Sequence, residues 1–333
     1  MGLTLTQITD DYISHNGSQS KATKNTALNS FKRIEKIIGK NMDDITLKDL
    51  RDPEKVVSEL LDTYSINTVI QTLLYMKYLI KTLTHKETLL NQYQDFLSEL
   101  IDERNQEFKQ GKKTPAEEKL GEEFDWITMR DKFIKHLNEK GLKDSFSSAR
   151  SNLLLALYLL QPPTRISNYL NMKVKGPSKK LKADTNFLIR DDEGFKFVFQ
   201  KYKTAKHIGK VMLPVKNKDL EGLIKNYLGY HPDYKKGSKR PHYFLVNNNG
   251  REMTQSNFTQ VLKNISEKVF GVPLSVNNFR HSFATWFQEQ NPTVIEKERI
   301  GKILGHKDTS SRADHYVRHD QDKKSALPEF DDL

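Results

Sequence analysis

The chain of 333 residues contains no cysteine, which excludes disulfides, thiolate metal sites and cysteine nucleophiles. It also lacks any apolar run near the ~20 residues that a bilayer-spanning helix requires. The first residues, Met1-Gly2-Leu3-Thr4-Leu5, do not follow the pattern of a secretory signal. Hydrophobic residues reach only 36% against 29% charged, the balance of a soluble protein with a large polar working surface. No internal repeat and no low-complexity tract breaks the sequence. These absences fit an intracellular protein with no membrane partner.

What is present is an excess of positive charge, unevenly placed. The formal net charge is +11. Residues 1–124 hold 17 Lys and Arg against 20 Asp and Glu, whereas residues 125–333 hold 37 against 23, a net of +14. The second part therefore carries the whole positive field. A domain with this imbalance points to a polyanionic partner such as nucleic acid.

The length allows two domains with separate cores. Residues 1–110 read as helical. Ala27, Phe31, Ile34, Ile37 and Ile38 recur at helix-face spacing within Ala22–Ile38. Ser65 is placed to cap a helix over Ile66–Leu83, with Val69, Ile70, Leu73, Leu74, Tyr78 and Leu79 as its apolar stripe. A third helical run covers about Lys86–Phe108. Residues 111–124, with Gly111, Pro115 and an acidic stretch to Glu123, read as a linker.

The second domain, 125–333, resumes with a helix from Trp126 through Phe133. Asn152–Leu160 is a dense apolar run that Pro162-Pro163 stops, so it reads as a buried helix. Thr164 is expected to cap the next helix, with Arg165 in the first turn. Phe187–Arg190, Lys196–Gln200 and Lys210–Pro214 read as short strands, the first pair joined by a turn at Asp192-Glu193-Gly194. Lys201, Lys203, Lys206 and Lys210 then lie on or around the loop between the last two strands. From Asn257 the pattern is helical again, with breaks at Gly271-Val272-Pro273 and Asn291-Pro292.

Near the C-terminus, Asn278-Phe279-Arg280-His281-Ser282-Phe283-Ala284-Thr285 and Leu304-Gly305-His306 are followed by Tyr316. Arginine grips phosphate, histidine moves protons, and a tyrosine hydroxyl can attack phosphorus. The combination suggests phosphoryl transfer on nucleic acid without a metal. His315 and His319 have the four-residue spacing of a helical metal pair. With no accompanying carboxylate motif of the zinc-hydrolase kind, no metal is expected.

Together these segments resemble the tyrosine recombinase/integrase family, with a phage-integrase-like catalytic domain. Pro163-Thr164-Arg165-Ile166-Ser167 resembles the family's first arginine box and Lys203-Thr204 its β-hairpin lysine. Phe279–Thr285 resembles the second arginine box, and Leu304-Gly305-His306 the third. Tyr316 falls where the nucleophile follows. The likeness spans about residues 125–320, and the helices of 1–110 look like the family's core-binding domain.

The resemblance implies a mainly α fold with a small antiparallel β-sheet (α+β). It also implies two domains closing as a C-shaped clamp on double-stranded DNA. Arg165 and Arg280 would hold the non-bridging oxygens, Tyr316 would attack phosphorus, Lys203 would protonate the leaving 5′-oxygen, and His306 would donate to the phosphate or relay a proton. Lys201, Lys206 and Lys210 would contact DNA. Neither ATP nor any other cofactor is implied, and synapsis would use a homotetramer on two sites, with 317–333 as an arm that Phe330 anchors on a neighbour.

The family usually has histidine where Asn277 stands, and often a carboxylate at the position of Asn168; the spacing from His306 to Tyr316 is one residue longer than the commonest. His281 is expected in a packing or supporting role. The implied activity is site-specific recombination or integration for a virus or mobile element, acting in the cytoplasm, nucleus or viral factory of a host cell. A type IB topoisomerase-like enzyme, a telomere resolvase and a catalytically weakened DNA-binding protein are the alternatives, the last kept open by Asn277 and Asn168.

Overall fold

The computed structural model describes residues 3–15, 17, 21–84, 87–109, 113–140, 145–176, 181–235 and 242–305. The chain separates into two units, Met1–Gln110 and Gly111–Leu333.

The first unit is helical: α1 Leu5–His15, α2 Lys21–Ile38, α3 Pro53–Thr63, α4 Ile66–Leu83 and α5 Glu87–Lys109. Its core gathers Ala27, Phe31 and Ile34 from α2 with Val69, Leu73, Met76 and Ile80 from α4, and Tyr93 and Leu97 from α5. Leu74, which the apolar stripe of α4 would have buried, is 49% exposed. It sits one residue beyond Leu73 and so points about 100° away from the core-facing line. Ser65 occupies the N-cap position of α4 but makes no capping bond; its hydroxyl pairs with that of Thr68 at 3.1 Å. The unanticipated helix α3 begins on ordinary signals, Pro53 in its first turn and the Asp52 side chain accepting from the Lys55 N–H.

Residues 115–124, expected to be a linker, are folded into the second unit. Thr114 and Glu117 form a capping box that starts α6, Pro115–Leu120. Leu120 joins the core cluster, so this stretch is anchored by burial. It continues as a 3₁₀ turn to Phe124. Then come α7 Trp126–Lys140, α8 Phe146–Leu159, α9 Ile166–Tyr169, β1 Lys173–Lys175, β2 Phe187–Asp191, β3 Gly194–Phe199, α10 Ala205–Ile208, β4 Val211–Pro214, α11 Lys218–Gly229, α12 Pro232–Lys235, α13 Gln255–Phe270, α14 Val276–Glu289 and α15 Val294–Leu304.

α8 is the hub of this unit, with every residue from Asn152 to Leu159 buried and α11 and α13 packed along it. A helix apolar all round belongs inside a larger core. It ends at Leu159, with Leu160 as its C-cap, ahead of two prolines that cannot continue it. The sheet order is β1-β2-β3-β4. The three anticipated strands are antiparallel, but β1 adds a parallel edge, Lys173 opposite Phe187, so the sheet is mixed. Thr164 does not cap the following helix. It is fully buried, and Arg165, in extended conformation, is the residue that precedes α9.

Candidate active site

Four separate segments of the second unit meet at the C-terminal end of α15. Like any helix end, α15 leaves its last carbonyls without intrahelical donors, and they carry the negative pole of the helix dipole. Arg280 comes from the second turn of α14, a helix started by a capping box between Ser275 and Asn278. It is 3% exposed. Its Nη1 donates to the Pro163 carbonyl at 2.9 Å and its Nη2 to the Leu304 carbonyl at 3.0 Å. Arg165, half-buried at the mouth of α9, donates from Nη1 to the Gly305 carbonyl at 2.9 Å. The same carbonyl accepts from the Thr204 hydroxyl at 3.1 Å. Carbonyls that would otherwise be orphaned thus orient both guanidiniums, and a guanidinium has five donors in a fixed fork.

Gly305 permits this convergence for two reasons. Its φ of 74° is the left-handed conformation that closes α15. A Cβ at that position would also meet Arg165 Nη1 at 2.6 Å and Thr204 Oγ1 at 3.3 Å. A side chain there would occupy the space of the arginine.

Lys201, Lys203, Lys206 and Lys210 are all exposed on the β3–β4 connection, which includes α10. The Thr204 bond brings the middle of this loop, and with it Lys203, to the end of α15. Lys201 is held at the loop's root: its N–H and carbonyl both bond the side chain of Asn186.

Asn168 is 4% exposed, on α9. Its carbonyl accepts from Asn186 Nδ2 at 2.9 Å, while its side-chain oxygen has no hydrogen-bond partner among the described residues. Asn277 lies exposed on the first turn of α14, one turn before Arg280. His281 faces α6, its Nδ1 3.7 Å from the buried Glu117 carboxylate, and so packs on the side of α14 that meets α6. His306 directly follows Gly305, but it, Tyr316, the His315/His319 pair and the arm 317–333 lie outside the described residues.

Three described tyrosines feel the guanidiniums, and none is poised to ionise. Burial pushes the phenols of Tyr158 and Tyr169 well up, against a smaller lowering by Arg280. Tyr202 is likewise raised by burial despite the nearby Arg165, and its hydroxyl donates to the Gly209 carbonyl at 2.7 Å. Asn186 and Thr204 were not singled out as functional in the sequence. Thr204 adjoins Lys203 in the quoted motif, but Asn186 carries no sequence signal of its role. Among the described residues no group of three or more His, Asp or Glu is placed to hold a metal. No described helix is long and apolar enough to cross a membrane.

The arrangement brings two permanently charged forks and a lysine-bearing loop to one spot, a geometry suited to a phosphodiester. The sequence profile of the phage integrase family matches residues 128–323. No curated protein matches the chain. Among solved structures, the Tn1549 transposon integrase in complex with transposon right end DNA is similar at 18% identity and a TM-score of 0.54, covering 99% of this chain and 97% of that one. The XerH site-specific recombinase bound to palindromic difH substrate, a post-cleavage complex, is also 18% identical with a TM-score of 0.54, covering 94% and 80%. A lambda integrase dimer bound to a COC′ core site is 13% identical with a TM-score of 0.52, covering 99% and 81%. At these identities the likeness establishes a shared fold.

Proposed function

The chain belongs to the phage integrase family, a family of DNA strand-transfer enzymes, and we propose that it is a site-specific recombinase or integrase of a mobile element or virus. The observation that carries this is the meeting of Arg165, Arg280 and the Lys203–Thr204 loop at the end of α15, one residue from His306.

A phosphodiester is anionic, and its pentacoordinate transition state concentrates more charge on the non-bridging oxygens. Arg165 and Arg280 neutralise that charge from positions fixed beforehand, which lowers the barrier without reorganisation during the reaction. The Tyr316 oxygen attacks phosphorus in line and loses its proton, the bond to the 5′-oxygen breaks, and a 3′-phosphotyrosine forms. Lys203 protonates the departing 5′-oxygen, and His306 donates to the phosphate or relays the phenolic proton. The new ester keeps the energy of the broken one, so attack by a 5′-hydroxyl reseals the strand with no other energy source. Among the described tyrosines near the guanidiniums, Tyr158 and Tyr169 are fully buried, away from any duplex, and the Tyr202 hydroxyl is committed to the Gly209 carbonyl.

The helices of 1–110 would contribute the second DNA-contacting domain. Strand exchange between two sites would require a tetramer, an assembly in which lambda integrase has been solved on a Holliday junction. A catalytically weakened DNA-binding protein is favoured by two features, an asparagine rather than a base at exposed position 277 and an asparagine rather than a carboxylate at buried position 168.

Covalent capture tests the proposal. Wild-type protein, Tyr316→Phe and Tyr202→Phe are incubated with nicked duplexes drawn from the DNA flanking the chain's own coding sequence. An SDS-resistant adduct with wild type and Tyr202→Phe, absent with Tyr316→Phe, supports it. Binding without an adduct transfers the lead to the DNA-binding reading.

A further inference from the structure

The lysine loop has a structural problem. β3 ends at Phe199 and β4 begins at Val211, so the residues between have no strand ladder to set their direction. A lysine on such a loop would sweep a wide volume, whereas a general acid must reach one oxygen.

Asn186, immediately before β2 and 4% exposed, supplies the missing constraint. Its Nδ2 donates to the carbonyls of Asn168 and Lys201, both at 2.9 Å. Its Oδ1 accepts from the N–H groups of Gln200 and Lys201, both at 2.8 Å. Two donors and two acceptor sites are all that a carboxamide has, so this one is saturated. Reversing the amide would set its oxygen against two carbonyls and its NH₂ against two N–H groups, which fixes one orientation.

The bonds connect particular elements. Asn168 lies on α9, three residues after Arg165, so its carbonyl is part of the segment that Arg165 opens. Lys201 both donates to and accepts from Asn186, which locks its backbone. The loop is fastened again at Thr204, whose hydroxyl shares the Gly305 carbonyl with Arg165. Lys203 stands between the two attachments. We infer that Asn186 is a positioning residue for Lys203: it fixes the root of the lysine loop against the Arg165 segment, so that phosphate held by the arginine finds the ammonium at its leaving oxygen.

This inference rests on Lys203 being the general acid, and the test separates the two ideas. Single-turnover cleavage is measured on two nicked duplexes that differ only at the scissile linkage, one with the natural 5′-oxygen and one with a 5′-sulfur. A thiolate leaves without protonation, so only defects in general acid catalysis are relieved by sulfur. Asn186→Ala is expected to cleave the oxygen substrate about 10- to 100-fold more slowly than wild type, and the sulfur substrate within about threefold of it.

Equal losses on both substrates, or no loss on either, overturn the inference. Lys203→Ala is the reference. If sulfur rescues Lys203→Ala but not Asn186→Ala, the positioning role alone fails. If sulfur fails to rescue Lys203→Ala, the assignment of the acid fails and takes the positioning role with it. Should Asn186→Ala not fold by thermal unfolding, Asn186→Asp carries the test. It keeps the acceptor for Gln200 and Lys201 and loses both donors, and the same sulfur rescue is required of it.

Discussion

Replacing Gly305 by alanine separates two consequences of one methyl group. The first is conformational. At φ 74° an L-residue costs roughly 1–2 kcal/mol, offset by the ~0.4–1 kcal/mol that alanine gains by restricting the unfolded chain. The net loss is about 1 kcal/mol, or a fall of about 2–4 °C in Tm for a unit of this size. The second is steric. The new Cβ would lie 2.6 Å from Arg165 Nη1, nearly 1 Å inside the ~3.5 Å at which heavy atoms attract. The atom it meets is the end of a flexible side chain, so the guanidinium moves and little further stability is lost. The cost appears in catalysis, where a displacement of about 1 Å reduces the rate on the order of 100-fold. Gly271→Ala is the matched control: Gly271 closes α13 at φ 76°, and an added Cβ meets nothing within 4 Å. Both variants should lose similar Tm by scanning calorimetry, and only Gly305→Ala should lose the rate of covalent adduct formation. Equal adduct rates in the two variants would refute the argument that Gly305 is required by the position of Arg165.

Arg280→Lys is expected to lower adduct formation at least ~100-fold, because a single ammonium cannot keep the forked grip. It should also lower stability in urea by about 1–3 kcal/mol, since one ammonium does not satisfy both the Pro163 and Leu304 carbonyls; a wild-type rate would remove Arg280 from the site. Asn277→His restores an imidazole to an exposed turn near Arg280 and should raise single-turnover cleavage about three- to tenfold, with no change counting against any role for that position. DNA affinity should fall steeply with salt, and Lys206→Ala should reduce the slope of log K against log salt by about one; an unchanged slope by filter binding would place Lys206 off the DNA. His231 is fully buried, and desolvation lowers its pKa, against a smaller opposing pull from Asp233. Its neutral form is favoured in the folded state, so its contribution is fully present above the unfolded-state pKa of about 6.5. That contribution is lost as pH falls from there through the depressed folded value. Urea midpoints at pH 7.5, 6.5 and 5.5 should decline more for wild type than for His231→Phe, and parallel declines would remove His231 as the cause.

The helices were legible because their signals are local. Periodic apolar positions placed α2 and α4 to within a residue. The stopping prolines placed the end of α8, whose polar first turns, from Phe146, lay ahead of the apolar run at Asn152; Gly271 and Asn291 fell at the breaks around α14. Failures came where a local signal had a second reading. Gly111, Pro115 and the acidic run looked like a linker, yet Thr114 and Glu117 start a helix and Leu120 is buried; one apolar residue in a charged stretch does not announce its burial. β1 was missed because three residues, Lys173–Lys175, all half-buried, are too short a run to show an alternation; what makes them a strand is distant, β2 on one side and a single bridge to Tyr243 on the other.

The candidate site divides along the same line. Arginine boxes are readable because their side chains are unusual in their settings, whereas the groups that aim the guanidiniums are carbonyls of Pro163, Leu304 and Gly305, and every residue has a carbonyl. Asn186 is hidden for the same reason. Four backbone groups surround its amide, from residues 168, 200 and 201, and no spacing along the chain relates them. Gly305 stands between these cases. A glycine after a helix is usually explained by its φ alone, and the sequence offers no reason to look further. Only the fold shows that Arg165, 140 residues away, fills the space where a side chain would be.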